Sequence, residues 1–419
     1  MIARRPGHAS AAAGILLAIS LAACLLFVNS YPLPGLTSDD IGYMEMAQNV
    51  AKGNGFSQNG SSPDVYRPPL FTLLLGGWFR ATGTSSIGSA AVFQSLIHAL
   101  GVVASFGLFL EILPSLAWAF GAALFLAVNP LLVTRAAFVL QEPTILLFTV
   151  LAAWAAVRLV KEPSAPRAAF AGAAWGICTL AKAVSWYVPL LLLAMRWLPR
   201  RLRFELRGRE AAALLFCFAA AIAPWTIRNY VQFHRFIPVN EQGEGLLKWN
   251  VLQAEVPGEA PGEEYVKEVY AKNLPEKERK DLLWRYVLDH PAYFLGYRVA
   301  RNAIYFAAPS RDWWISRGHF RPGEHRTVFW ILSALFHIPL YLFLLYRTWR
   351  WGKGWAAPAL GFVVLLYWTY WIQHALLWGD PRFGLAVYPI LVAMVLPLAE
   401  RRRWGRGVIS FEGRTRSPG

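Results

Sequence analysis

Residues 168–197 read Ala168-Ala-Phe-Ala-Gly-Ala-Ala-Trp-Gly-Ile-Cys-Thr-Leu-Ala-Lys182-Ala-Val-Ser-Trp-Tyr-Val-Pro-Leu-Leu-Leu-Leu-Ala-Met-Arg-Trp197. Two apolar runs, Ala168–Ala181 and Val184–Trp197, flank a single lysine. As one helix they would cross a membrane once; as two they would cross twice, and everything downstream would change sides. A hydrocarbon core of about 30 Å needs roughly 17–25 apolar residues per helical span, so each run is short alone and long together. Charge decides between the readings. An arginine block from Arg196 to Arg209 follows the second run, and basic loops stay on the cytoplasmic side. Two separate spans put that block with the other basic clusters; a single span would strand it outside.

Working outward, the pattern recurs along the 419 residues. The chain is 56% hydrophobic and 16% charged, with 19 Trp, where a soluble chain carries about a quarter charged residues. Apolar runs at Ala13–Tyr31, Gly88–Leu110, Leu116–Val133, Thr144–Val160, Ala211–Ile227, Val328–Tyr346, Ala357–Leu377 and Gly384–Ala399 join the two above. The expectation is an all-α polytopic integral membrane protein of about ten spans. With that count, nearly half of the 41 Lys and Arg residues fall on the cytoplasmic side: Arg4 and Arg5, then Arg158, Lys161 and Arg167, the 196–209 block, Arg347, Arg350 and Lys353, and the tail beyond Arg401. The net charge of +16 therefore reads as topology signal and contact with anionic lipid, not as a nucleic-acid surface. Four regions follow: a seven-span module over 1–228 that includes the outer loop 32–87, a long outer loop over 229–327, three spans over 328–400, and a basic cytoplasmic tail over 401–419.

Cys24, Cys178 and Cys217 all lie in apolar runs with no disulfide or zinc spacing, so they read as buried thiols. Leu21-Ala-Ala-Cys24 after Arg4-Arg5 has the look of a lipoprotein cleavage box. The apolar run continues through Val28, however, and the expectation is an uncleaved first span. In the outer loop 32–87, one surface helix should open at Ser38 as N-cap and close at Gly53-Asn-Gly55, with Tyr43, Met46, Ala47 and Val50 on one face. A second should start at Pro68-Pro69 and run through Leu70–Phe79, too short to span. In the long loop, Tyr293–Phe306 alternates aromatic residues with Arg298 and Arg301, as an interfacial helix would.

The chemistry-bearing side chains gather on the outer side under this topology. Asp39, Asp40, Arg67, Glu142, Lys182, Arg228, Asp380 and Arg382 sit at span ends or in the loops that join them. Cations can hold a phosphate while a carboxylate takes a proton from an acceptor. Each residue also has a plainer reading. Asp39-Asp40 and Glu142 favour a helix N-terminus by charge–dipole attraction; Lys182 can snorkel; Arg228 and Arg382 can anchor at the interface. His98 and His337 read as packed or hydrogen-bonded within spans, and His374 lies nearer an outer end. No Gly-Lys-Ser/Thr phosphate loop, His-Glu-x-x-His helix or Gly-x-Ser-x-Gly elbow occurs.

Ser38-Asp-Asp-Ile-Gly-Tyr-Met-Glu-Met-Ala-Gln-Asn-Val50 followed by Gly53-Asn-Gly55 resembles the first outer loop of the GT-C glycosyltransferases. The likeness points to the bacterial branch related to protein O-mannosyltransferases and the lipid A aminoarabinose transferase. Tyr66-Arg-Pro-Pro-Leu70, Gln141-Glu142, Gly176-Ile-Cys-Thr-Leu-Ala-Lys182, Pro224-Trp-Thr-Ile-Arg-Asn229 and Asp380-Pro-Arg-Phe383 are similar to further family stretches, in the same order. The family pattern has Asp-Glu where this chain has Asp39-Asp40. The resemblance implies a GT-C-like bundle with interfacial helices in the first outer loop. It implies Asp39 as catalytic base with Asp40 beside it, Glu142 as second-loop acid, and Lys182, Arg228 and Arg382 toward a donor phosphate. Tyr43, Arg67, His374 and Asp380 are further candidates. The implied reaction is inverting transfer of a sugar from a polyprenyl-phosphate donor to an acceptor hydroxyl on a glycan, lipid or protein, at the outer face of the cytoplasmic (inner) membrane. The resemblance names no certain cofactor and leaves a divalent metal open. Two other functions compete. A secondary transporter or lipid flippase would place charges near the midplane of repeated halves, and this chain shows no repeat. A noncatalytic envelope scaffold would use the outer loop as an interaction surface.

Overall fold

A computed structural model describes residues 6–30, 38–113, 115–200, 202–242, 244–307, 335, 338–346, 349, 358–377 and 381–395. Among them the regular elements are helices. Five are long and apolar enough to cross a membrane: α1 (Pro6–Ser30), α4 (Ile87–Ile112), α7 (Glu142–Lys161), α10 (Gly208–Phe233) and α15 (Pro358–Leu376). By length and composition, the bent pair α5 (Leu116–Ala127) and Pro130–Ala137 makes a sixth, broken by 50°. Asn129-Pro130 explains the break: Pro130 cannot donate to the preceding turn, and the Asn129 side chain accepts from Leu131 N–H at 3.0 Å to start the next one. Nine of the 19 residues of the expected run Val328–Tyr346, His337 among them, lie outside the described residues, as do the Ser38 side chain and the tail from 401; residues 338–346 are helical. The described part of the expected run Gly384–Ala399 falls in two short helices, α16 (Pro381–Ala386) and α17 (Tyr388–Val395), rather than one.

At Lys182 the chain does break. Helix α8 (Ala165–Ala181) ends there and Lys182 itself is extended. The apolar stretch Ala183–Trp197 follows as short helical pieces around α9 (Val188–Ala194). Helix α10 then packs parallel to α8. Gly172 lies against the Leu214 backbone, while a Cβ on Gly176 would come within 2.6 Å of Ala221 Cβ and 2.8 Å of Phe218 O. Parallel neighbours need a return segment, and 183–207 supplies it. The two glycines, one turn apart, are the small-residue stripe that lets helices approach in a bilayer.

Between the first two long apolar helices, α2 (Ser38–Lys52) packs against α3 (Pro69–Thr82) as a helical hairpin. Of the expected face of α2, Tyr43, Met46 and Ala47 are buried and Val50 is half-buried; α3 buries Phe71, Leu75 and Phe79. Gly76 has no room for a Cβ, with Ala47 O at 2.9 Å from that position. Gly53, at φ +85°, stops α2.

The long loop forms α11 (Gly245–Leu252), α12 (Gly262–Ala271) and α13 (Glu276–Asp289) around a small core of Val251, Val266, Leu283, Tyr286 and Phe294. A π-helical turn, Ala292–Tyr297, leads into α14 (Arg298–Ala307). Helix α14 is docked rather than free: Asn302 and Arg298 donate to the Ala375 and Leu377 carbonyls at the end of α15 (3.2 and 3.0 Å).

Two outcomes follow. Gly172→Ala should press a methyl into the Leu214 carbonyl and lower the melting temperature in detergent, at a cost of ~1–3 kcal/mol. Gly121→Ala, with nothing within 4 Å, should leave melting unchanged. In the loop core, His290 faces acceptors on both ring nitrogens, the Tyr286 carbonyl (2.7 Å) and Glu259 (2.9 Å). The Glu259 carboxylate first, then the carbonyl, raises its pKa above 6.5. A raised folded-state pKa stabilises below the ordinary value, and the contribution disappears as pH rises through the raised one. Hydrogen exchange over 255–293, corrected for intrinsic rate, should therefore show less protection at pH 8.5 than at pH 6. His290→Ala should remove that difference.

Candidate active site

Six elements bring polar side chains to one end of the bundle. They are the N-terminus of α2, the start of α3, the N-terminus of α7, the C-terminal end of α8, the last turn of α15 and the first turn of α16. Between them and α11 lies a cavity of about 730 Å³. The basic residues Arg158, Lys161, Arg167 and Arg196 belong to the opposite helix ends.

The centre of the site is an ionic relay. Arg382 donates from Nη2 to Asp39 Oδ2 at 3.1 Å, and its Nε lies 3.6 Å from Glu142 Oε1. Arg67 approaches the other oxygen of Asp39 at 3.8 Å. Asp39 is 42% exposed and lines the cavity, so its carboxylate is reachable; Glu142 is buried. Lys182 is also buried, its ammonium 3.2 Å from the centre of the Phe383 ring at the cavity wall.

Local sequence explains the positions. Asp39 occupies the first turn of α2, where the helix dipole favours a carboxylate, and Glu142 does the same for α7. Lys182 is the residue after α8, extended because the helix has just ended. Arg67 lies over the Tyr43 ring at 5.0 Å and against Gly42, where any Cβ would collide with the guanidinium. Gly42 is thus part of the Asp-Asp-Ile-Gly-Tyr stretch for a steric reason. Tyr43 and Tyr66 have pKa values raised by burial, so both remain neutral phenols.

Other candidates fall elsewhere. Asp40 is buried and does not line the cavity. Arg228 does not line it either. Its guanidinium donates to the Asp64 and Phe56 carbonyls (2.7 and 3.1 Å) and stacks on Trp225 at 4.8 Å. With Asn229, which donates to the Ile237 and Val239 carbonyls, it clamps both loops to the end of α10. The loop it holds carries Tyr66 and Arg67, so Arg228 shapes the site from behind. Asp380 lies outside the described residues.

Sequence reasoning passed over several contributors. Gln94, buried in α4, donates to the Phe138 and Leu140 carbonyls and fixes the turn that launches α7 with Glu142; a lone glutamine in an apolar run was its only signal. Gln141, Gln373, Trp249 and Phe383 line the cavity, and none carries charge to mark it. Among the described residues no three His, Cys, Asp or Glu side chains come together as a metal set.

No protein-family profile matches the chain, and no curated protein matches it. Solved structures do. The apo oligosaccharyltransferase of Archaeoglobus fulgidus superposes over 92% of this chain and 50% of its own, with a TM-score of 0.54 and 14% identity. The same protein, AglB, in complex with an inhibitory peptide and a dolichol-phosphate gives 0.47 at 16% identity over the same shares. ArnT of Cupriavidus metallidurans, bound to undecaprenyl phosphate, gives 0.42 at 13% identity over 94% of this chain and 77% of its own. The chain spans about half the length of the oligosaccharyltransferase it matches. By its helical architecture, this chain shares the fold of the archaeal oligosaccharyltransferase over about half of that protein's length.

Proposed function

We propose that the chain is an inverting glycosyltransferase that moves a sugar from a polyprenyl-phosphate donor to an acceptor hydroxyl at the outer face of the cytoplasmic membrane. The observation that carries this reading is the reachable Asp39 carboxylate, set by Arg382 and Arg67 in a cavity that also holds Lys182. An acceptor-side base beside donor-side cations is the equipment such a transfer needs. Asp39 takes the proton from the acceptor hydroxyl as its oxygen forms the bond to the anomeric carbon. The bond from that carbon to the phosphate oxygen breaks, and its electron pair leaves with the polyprenyl phosphate. A phosphate departs as a stable anion, so no general acid is needed. Arg382 and Lys182 are positioned to meet its charge, and preorganised cations in a poorly solvated site act more strongly than in water. Attack opposite the leaving group inverts the anomeric centre.

The acceptor is a glycan, lipid or protein hydroxyl, the surrounding partner is membrane lipid, and a divalent metal is compatible with the carboxylates present. The basic helix ends opposite the cavity support an outward-facing site through the bias of basic loops to the cytoplasm. A transporter reading draws less support, because the charges gather at one end of the bundle rather than at its middle.

Asp39→Asn should slow transfer by about 10²–10⁴-fold, the usual worth of a general base, while binding of polyprenyl phosphate persists. Lys182→Met should instead weaken donor binding and raise its KM. Purified protein in lipid nanodiscs, assayed with radiolabelled polyprenyl-phosphate sugar, separates the two effects. Near-normal turnover in Asp39→Asn would remove it from the base role.

A further inference from the structure

The cavity holds a group that the proposed transfer does not use. His374, in the last turn of α15, is 4% exposed and lines the cavity. Its Nδ1 lies 2.7 Å from the Tyr370 carbonyl oxygen. A carbonyl only accepts, so Nδ1 carries the hydrogen, and the lone pair of the neutral ring is on Nε2. That nitrogen is buried and meets no hydrogen-bond donor among the described residues. The ring cannot turn to find one, because it is packed between Phe306 (4.9 Å between centres) and Phe383 (5.2 Å). The carbonyl that orients it lies within helix α15, and the Tyr370 hydroxyl bonds Ser185, three residues beyond Lys182.

The side-chain oxygens of Gln141 and Gln373 are in the same state: buried, without a donor among the described residues, and lining the same cavity. Buried acceptors are nearly always satisfied in a functioning protein. Three that share one cavity call for a ligand with several donors. A phosphate offers none, and a polyprenyl chain offers none. The hydroxyls of a sugar offer several.

We infer that Gln141, Gln373 and His374 form the subsite for the transferred sugar, with His374 Nε2 as the fixed acceptor, and that the sugar is neutral and carries free hydroxyls. This rests on the reading of the donor as a polyprenyl-phosphate sugar. Charge argues for neutrality. Arg67, Lys182 and Arg382 line the cavity with the carboxylates Asp39 and Glu241; Glu241 is paired with Arg235, and Arg382 engages both Asp39 and the buried Glu142. A sugar ammonium would enter a site already weighted toward cations. His374 is a positioning residue here, selecting and orienting the sugar without taking part in bond exchange.

The test uses the full chain in lipid nanodiscs and three ligands: polyprenyl monophosphate, the same lipid phosphate carrying glucose, and the same carrying an amino sugar. Wild type should bind the glucose lipid at least about tenfold tighter than the bare phosphate and tighter than the amino-sugar lipid. His374→Phe keeps the ring stack and removes the acceptor. It should lose about tenfold of the glucose preference, the typical worth of one such bond, with bare-phosphate affinity unchanged as an internal control of folding. His374→Gln restores an acceptor at a similar reach and should recover most of the preference. An unchanged preference in His374→Phe, or equal binding of the amino-sugar lipid by wild type, overturns the subsite. Failure of wild type to bind any of the three lipids overturns the donor reading beneath it.

Discussion

One guanidinium holds the polar end of the bundle together. Arg382 reaches Asp39 on α2 and Glu142 on α7, joining the first and last parts of the described chain to its middle. Charged side chains in a membrane protein are costly unless paired or hydrated. The cheapest arrangement for two carboxylates at helix N-termini is therefore a shared cation between them. That pairing fixes α16 against α2 and α7, and with α16 comes Phe383, which forms the wall beside Lys182 and His374. The cavity is what remains open among helix ends tied in this way.

The loops obey the same demand from the other direction. Backbone groups outside helices need partners, and at the end of α10 they find them in side chains. Trp225, Thr226, Arg228 and Asn229 all donate to loop carbonyls. Two loops far apart in sequence are thereby held edge to edge, with Glu241 N–H also donating to the Val65 carbonyl at 2.9 Å. The Arg67 and Tyr66 side chains that line the cavity are presented by this clamped segment. The Pro224–Asn229 stretch, which the family resemblance attached to the donor, is explained here by what it holds.

The long outer loop contributes differently. It has a small apolar core of its own, cross-linked by Arg279, Glu244 and Tyr270, and it sets Trp249 and Gln253 on the cavity rim. One side of the site is thus charged and built from helix ends, while the other is aromatic and amide-rich.

The amino-acid sequence by itself determined the elements, because hydrophobic run length, proline and glycine placement and helix-end charge are local properties. The break at Lys182, the hairpin of α2 and α3 and the stop at Gly53 were all readable from neighbours in the chain. So was the gathering of Asp39, Arg67, Glu142, Lys182, His374 and Arg382 at one end, once alternating spans and basic loops set a topology. What only the tertiary structure decided is which of those groups touch. Pairing across 343 positions depends on helix packing distances that glycines such as Gly172 and Gly176 permit, and no local pattern records them. The same holds for Arg228, which is charged and at a span end like Arg382 yet turned to the loops. It holds too for His374 and the glutamines, which are singled out by acceptor atoms that meet no donor among the described residues rather than by anything adjacent to them in sequence.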